Sequence, residues 1–179
     1  MWSFAGSLVP VPVSERLDLV ADPVARAVEA VPDVASIGVA AIDETLADTA
    51  AFCEHYGVRA EDSANCVIVK GKRGGDIRYA ACLVLATTRA DVNGVVRKRL
   101  DVRSASFAPM DEAVALTGME YGGITPIGLP AEWPILVDAA VAASPGVVVG
   151  AGIRGAKLFL PGRVLASLPA AEVIDGLGR

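Results

Sequence analysis

Apolar and polar positions change their spacing several times along this chain, and each change marks an element. Ser14, followed by Glu15 and Asp18, predicts a helix start, because acidic side chains suit the positive end of a helix. Asp22-Pro23 predicts a second start, and Val24, Ala27, Val28 and Val31 then recur at helical spacing up to Pro32. The β-branched run 34–42 (VASIGVAAI) predicts a strand. Residues 44–56 predict an amphipathic helix with Leu46, Thr49, Ala50 and Cys53 on one face and Gly57 as its stop. The middle of the chain is strand-like. Residues 65–73 (NCVIVKGKR) run into Gly74-Gly75-Asp76, a hairpin signal, and 77–87 (IRYAACLVLAT) form the return strand, apolar on both faces as a central strand should be. Asp91 opens a helix through Val95, Val96 and Leu100, with Arg97, Lys98 and Arg99 near its negative end. A short helix over 111–117 closes at Gly118, and a loop rich in Gly and Pro follows over 121–130. A buried strand over 146–153, a glycine turn over 150–155, a strand over 157–160 and a helix from Pro161 to Leu168 complete the pattern. Strands outnumber what simple βαβ alternation needs and a hairpin sits at the centre. The expected class is therefore mixed α/β, in one domain spanning 1–179, and not a doubly wound sheet.

Composition narrows the class of protein. With 179 residues, 53% of them hydrophobic and 21% charged, the chain can bury a core and is not a disordered tail. Aromatics make up only 5%, so that core must be built from Ala, Val, Leu and Ile. Three cysteines, Cys53, Cys66 and Cys82, form no CxxC pair and no even disulfide framework, which points to a reducing, cytoplasmic setting. No apolar run is long enough for a membrane helix, and Pro10 and Pro12 interrupt an N-terminal stretch that lacks the basic start of a signal peptide. The net charge of −5 is unevenly spread. Residues 1–69 carry 3 basic and 11 acidic side chains, 70–103 carry 9 and 3, and 104–179 carry 4 and 7. A basic middle in an acidic protein is either a footprint for a polyanion or a hairpin turn with a solvated helix face.

The usual catalytic sets are missing. His55 is the only histidine, and neither a GxSxG elbow nor a P-loop occurs. A dyad of Cys53 with His55 fails because residues two apart on a helix point in different directions. No metal and no cofactor is expected. Two glycine segments remain. In the first, Gly122-Gly123-Ile124-Thr125-Pro126-Ile127-Gly128, the glycines let a ligand approach the main chain, and several N–H groups can converge on an anionic or carbonyl oxygen. In the second, residues 150–155 (GAGIRG), the GxGxxG spacing is followed by a strand and not a helix, so the phosphate-on-helix arrangement of a dinucleotide site does not apply. Both segments are equally readable as tight turns.

The motif from Thr117 to Gly128 (TG-x(3)-GG-I-T-P-x-G), the step from Pro134 to Asp138, and the strand and glycine turn from Val149 to Gly155 together resemble the YbaK/EbsC family. These proteins are free-standing relatives of the editing domain of bacterial prolyl-tRNA synthetases. The resemblance covers about residue 65 to the C-terminus and is weakest over 1–45. It implies a mixed, largely antiparallel, curved sheet surrounded by helices. It also implies hydrolysis in trans of the ester joining a small, wrong amino acid to the 3′-terminal adenosine of tRNA. Synthetases leak such amino acids because one methylene discriminates by only about 1–3 kcal/mol. The implied partner is misacylated tRNA, through its terminal adenosine and acceptor stem, with no membrane or metal involved and a substrate ribose hydroxyl helping to place the water.

The resemblance also implies the site. Asn65, Gly122, Gly123, Ile124, Thr125 and Gly128 take catalytic positions, and Pro126, Asp138, Gly150, Gly152, Arg154 and Lys70 substrate-binding ones. Asp138 would bind the α-amino group of the substrate or simply cap residues 138–144, and Arg154 would meet the tRNA end or simply be solvated. One position departs from the family. A lysine is expected just before the first central strand, but aligning the apolar run Cys66-Val67-Ile68-Val69 places Asn65 there, with Lys70 as the alternative. An amide in place of that charge weakens attraction to an anion. It therefore leaves open a member with little catalysis that acts as an aminoacyl or nucleotide-binding module or an interaction module.

Overall fold

The computed structural model describes residues 1–179. Its framework is the central hairpin. Strand β3 (Ala64–Arg73) pairs with β4 (Asp76–Leu85) in ten consecutive antiparallel pairs, from Ala64 opposite Leu85 to Arg73 opposite Asp76. Gly74, with φ of 59°, supplies the left-handed turn that the sequence predicts. On one side β3 pairs antiparallel with β5 (Ser104–Phe107). On the other, β4 pairs in parallel with β6 (Ile135–Asp138), and β6 in parallel with β9 (Ala171–Ile174). A second, all-antiparallel sheet has the order β1 (Val11–Pro12), β2 (Gly38–Ala41), β8 (Ala156–Leu160) and β7 (Val147–Gly150). The expected single curved sheet is thus divided in two, and a lone parallel bridge from Ser63 to Val148 joins the halves.

Side-chain alternation sorts the core. Ala81, Leu83, Ile135 and Val137 of the larger sheet and Val147, Val149, Leu158 and Leu160 of the smaller one belong to the same main apolar cluster. Helix α1 (Asp22–Val28), begun by Pro23 as its sequence predicts, adds Val24 and Val28 to that cluster. The opposite face of the larger sheet, with Cys82, Val84 and Leu136, packs against Val96 and Leu100 of a π-helical turn (Val92–Val96) and α3 (Arg97–Leu100). Asp91 caps this turn, its carboxylate accepting from the amides of Gly94 and Val95. The opposite face of the smaller sheet, with Ala40, Val148 and Phe159, is covered by Phe52 of α2 (Thr49–Tyr56).

Several sequence expectations shift. The helix expected at Ser14 is two 3₁₀ turns, Val13–Glu15 and Leu17–Leu19, confined between prolines. The helix expected over 44–56 breaks in two, because Asp48 accepts from the Ala50 amide and starts α2 afresh. That restart turns Phe52 inward and leaves Ala50 exposed. Helix α4 (Met110–Thr117), closed by Gly118, agrees with expectation. Beyond β6 the chain forms α5 (Ala139–Ala142), and after β8 it forms α6 (Gly162–Ala166).

The tightest approach of backbone to backbone lies between the 122–124 loop and the 150–153 turn. The Gly152 amide donates to the Gly123 carbonyl at 2.7 Å, and the Glu120 amide to the Gly152 carbonyl at 2.9 Å. A Cβ on Gly150 would collide with the carbonyls of Gly123 and Ile124, whereas one on Gly155 meets nothing within 4 Å. Gly150→Ala is therefore expected to lower stability by about 1–3 kcal/mol, while Gly155→Ala stays within about 0.5 kcal/mol of the natural protein. Urea melts of the two variants check this.

Candidate functional site

At the junction of the two sheets lies a cleft of about 520 Å³. Three segments build it. The first is the start of β3, with Asn65. The second is the glycine loop, with Tyr121, Gly122 and Ile124. The third is the end of β7 and its turn, with Gly150 and Arg154. Residues Ala47, Asp48 and Thr49 at the start of α2 close one side. The geometry follows from strand register. The bridge pairs Ser63 with Val148, so Asn65 and Gly150 lie two residues further along both chains. Gly150 in turn pairs with Lys157. Asn65, Gly150 and Lys157 therefore face the same side, the side that α2 covers further along, and all three line the cleft.

Hydrogen bonding decides which groups remain free there. The Thr49 hydroxyl donates to Asn65 Oδ1 at 2.7 Å, which fixes the amide and leaves its NH₂ with no partner in the protein. In the loop, the Gly123 amide is taken by Glu120 and the Thr125 amide reaches the Met119 sulfur at 3.5 Å. The amides of Gly122 and Ile124, by contrast, make no hydrogen bond within the protein. Gly122 is exposed and Ile124 half-buried, and both line the cleft, so these two N–H groups are open to a ligand oxygen. Arg154 is held at the rim, its side chain donating to the carbonyls of Tyr121 and Glu44 and its amide to Glu120 Oε1. Two aromatic rings, Phe107 at 61% exposure and Tyr121 at 49%, flank the opening.

Other residues expected at the site lie elsewhere. Thr125 and Pro126 are buried behind the loop, and the Thr125 hydroxyl has no hydrogen-bond partner. Gly128 packs on the Pro23 backbone and Gly152 on Ala21, so both shape the loops from the rear. Asp138 ends β6, beside Gly178 and Thr88, outside the cleft lining, and its side chain does not cap α5. Lys70 lies five residues along an unbroken strand from Asn65, roughly 17 Å away, and on the opposite face. It is tied to Glu112 at 2.8 Å, a contact that raises the lysine pKa and lowers that of the carboxyl. A larger cleft of about 800 Å³ holds none of the expected residues, and Arg99 and Glu172 in its wall neutralise each other.

Lys157 escaped the sequence reading, which saw it only as the start of a short strand. It is 8% exposed, lines the cleft from β8, donates to the Ala47 carbonyl at 3.1 Å and stands 5.3 Å over the Phe52 ring centre. Burial pulls its pKa down to about 8, against smaller raising effects from Cys53 and Asp48 and a lowering one from Arg154. A signal was present: a lysine inside a strand whose two faces are otherwise apolar is rarely accidental. Cys66 also borders the cleft, but burial pushes its thiol far up, away from the thiolate form a nucleophile needs.

Comparison with known proteins places the chain in a family. Residues 43–168 match the family model described as an aminoacyl-tRNA editing domain. The chain belongs to that family. Among solved structures, it is similar to a protein proposed to be a trans-editing enzyme for prolyl-tRNA synthetase, with a TM-score of 0.71 and 20% identity over 92% of this chain and 96% of that one. It is also similar to the hypothetical protein APE2540, with a TM-score of 0.69 and 21% identity over 79% of this chain and 90% of that one. At these identities the likeness is one of fold. The family match begins at residue 43, next to the 47–49 segment of the cleft, and excludes most of the poorly matched N-terminal region. No helix is long and apolar enough to cross a membrane.

A depressed lysine pKa has a thermodynamic signature. Between about pH 8 and 10.5, the folded and unfolded values of the Lys157 pKa, the unfolded chain binds more protons than this editing-domain protein does, so Lys157 makes stability rise with pH. Below about pH 8 its penalty is constant. Lys157→Met is expected to stabilise the protein at pH 7 by roughly 1–3 kcal/mol, and this advantage should shrink as pH climbs towards 10. Denaturant melts at pH 7 and pH 10 measure it.

Proposed function

We propose that the cleft hydrolyses the ester of a small amino acid wrongly attached to tRNA. One observation supports this above the others: the free amides of Gly122 and Ile124 share a narrow cleft with the free amide NH₂ of Asn65. An ester carbonyl becomes an oxyanion when water adds to it, and preorganised donors lower that barrier. In this reading the acyl group enters between the glycine loop and β3. The terminal adenine then meets Phe107 or Tyr121 at the opening, since aromatic faces accept any base by stacking.

The rest of the tRNA needs a cationic surface, and ion pairs have thinned the one that the charge pattern suggested. Of the basic residues over 70–103, Lys70 is bound to Glu112, Arg73 to Asp101 and Arg99 to Glu172. Arg97 donates to the Asn93 carbonyl. Arg78 pairs with Asp76 and Asp101. Lys72, Arg89, Lys98 and Arg103 form neither an ion pair nor a side-chain hydrogen bond within the protein and remain for the acceptor stem.

A panel of tRNAs charged with Ala, Ser, Thr or Cys tests the activity. At least one should lose its amino acid faster with the protein than without it, and Lys70→Ala should keep that activity, as its side chain lies outside the cleft. Tight tRNA binding without hydrolysis of any of the four would favour the binding-module reading. Binding itself should weaken with salt, by roughly 0.7–0.9 log units per phosphate contact per decade, so about four contacts imply a slope of roughly −3 to −4. Affinity that stays flat from low to moderate salt would remove this surface as a tRNA contact.

A further inference from the structure

Lys157 is a cation in the interior with no anion to meet it. Its ammonium has three donors. One goes to the Ala47 carbonyl, and the ring of Phe52 takes up one side. No carboxylate lies within salt-bridge distance, although the protein forms ten such pairs elsewhere. Isolated buried charges are costly, and proteins usually pair them or do without them. The charge that remains unanswered borders the cleft, on the strand position next to Gly150, and the glycine loop lies directly over Gly150. The cleft therefore combines two backbone donors that have no partner in the protein with one unpaired buried cation, and it is the cation that calls for an anionic oxygen.

We propose that Lys157 holds the oxygen of the scissile ester as it becomes negative, and afterwards the carboxylate of the released amino acid. This inference rests on the deacylase reading and adds a charged group to it. Water adds to the ester carbon, and the carbonyl π pair moves onto the oxygen beside Lys157. That pair then returns, the bond from carbon to the ribose oxygen breaks, one proton of the water ends on the ribose oxygen, and the acid formed loses the other to solvent as it becomes the carboxylate. Lys157 keeps its protons throughout. The groups that set its charge are Asp48 and Cys53 at the α2 side and Arg154 from the turn, with burial the largest influence. A lysine near pH 8 in its titration is protonated under neutral conditions and lost as a cation above them.

The test compares the natural protein with Lys157→Met and Lys157→Arg. Single-turnover deacylation at saturating protein should fall about 10²-fold in Lys157→Met, with tRNA affinity unchanged. Lys157→Arg should recover part of the rate. In the natural protein the enzymatic rate, corrected for spontaneous hydrolysis, should drop above about pH 8, and in Lys157→Arg that drop should be absent, because guanidinium stays protonated. A lysine that merely braced α2 would show no such change of pH profile. Lys157→Met that folds and hydrolyses at the natural rate overturns the proposal, as does an identical pH profile in all active forms.

A second measurement does not depend on turnover. The chain has four lysines, Lys70, Lys72, Lys98 and Lys157, few enough to follow by ¹³C-lysine NMR. Acetate in place of chloride should raise the titration midpoint of Lys157 alone. If the natural protein hydrolyses no ester but this shift is seen, the deacylase reading fails and the anion site stands. If hydrolysis is seen without the shift and without an effect of Lys157→Met, the anion site fails and the deacylase reading stands.

Discussion

The contact of the 122–124 loop with the 150–153 turn governs everything else about this site. It is main chain on main chain, with the Gly152 amide on the Gly123 carbonyl and no room for a side chain at Gly150 or Gly123. The loop is pinned through Gly123, and its neighbours Gly122 and Ile124 line the cleft with amides that have no partner in the protein. Because the turn joins β7 to β8, the same contact fixes the loop relative to Lys157. One packing constraint thus sets the positions of backbone donors and cation together. Rigid placement of this kind is what the proposed oxyanion site requires.

The second sheet matters for a related reason. A single continuous sheet would carry β3 past β7 with a full ladder of hydrogen bonds. Here the two meet through the Ser63–Val148 bridge alone, and beyond it the strands part to leave the cleft. The start of α2 fills part of the gap, with Thr49 fixing Asn65 and Ala47 receiving Lys157. The cost of the arrangement falls on Lys157, whose burial lowers its pKa and the stability of the fold at neutral pH. Functional sites commonly carry such a penalty, because a group already poised for an anion is destabilised until one arrives.

Much of this was readable from residue order. The β3–β4 hairpin announced itself through two strand-like runs around Gly74-Gly75, and α4 through its terminal Gly118. The juxtaposition of the two glycine segments followed from the family resemblance, and the structure does bring them together. Strands β5, β6 and β9 were missed. Each has only four residues, and Ile135–Asp138 lies just beyond Pro134 with no alternation to mark it, as is usual for a short parallel strand buried on both faces. Asp138 was expected near the pocket and ends β6 outside it, because that segment belongs to the far side of the larger sheet. Lys157 was passed over because local pattern cannot show that its neighbours across the sheet are a glycine and a helix start. Only the register of three strands brings it onto the same cleft-lining face as Asn65.

The central claim is that the cleft at the sheet junction receives the aminoacylated end of tRNA. A non-hydrolysable amide analogue of 3′-alanyl-adenosine, titrated into ¹⁵N-labelled protein, reads this directly. The account predicts that amide shifts concentrate at Asn65, Gly122, Ile124, Gly150 and Arg154 and spare the larger cleft around Tyr79, Trp133 and Glu172. Shifts centred on that larger cleft, or none at saturating analogue, would contradict it.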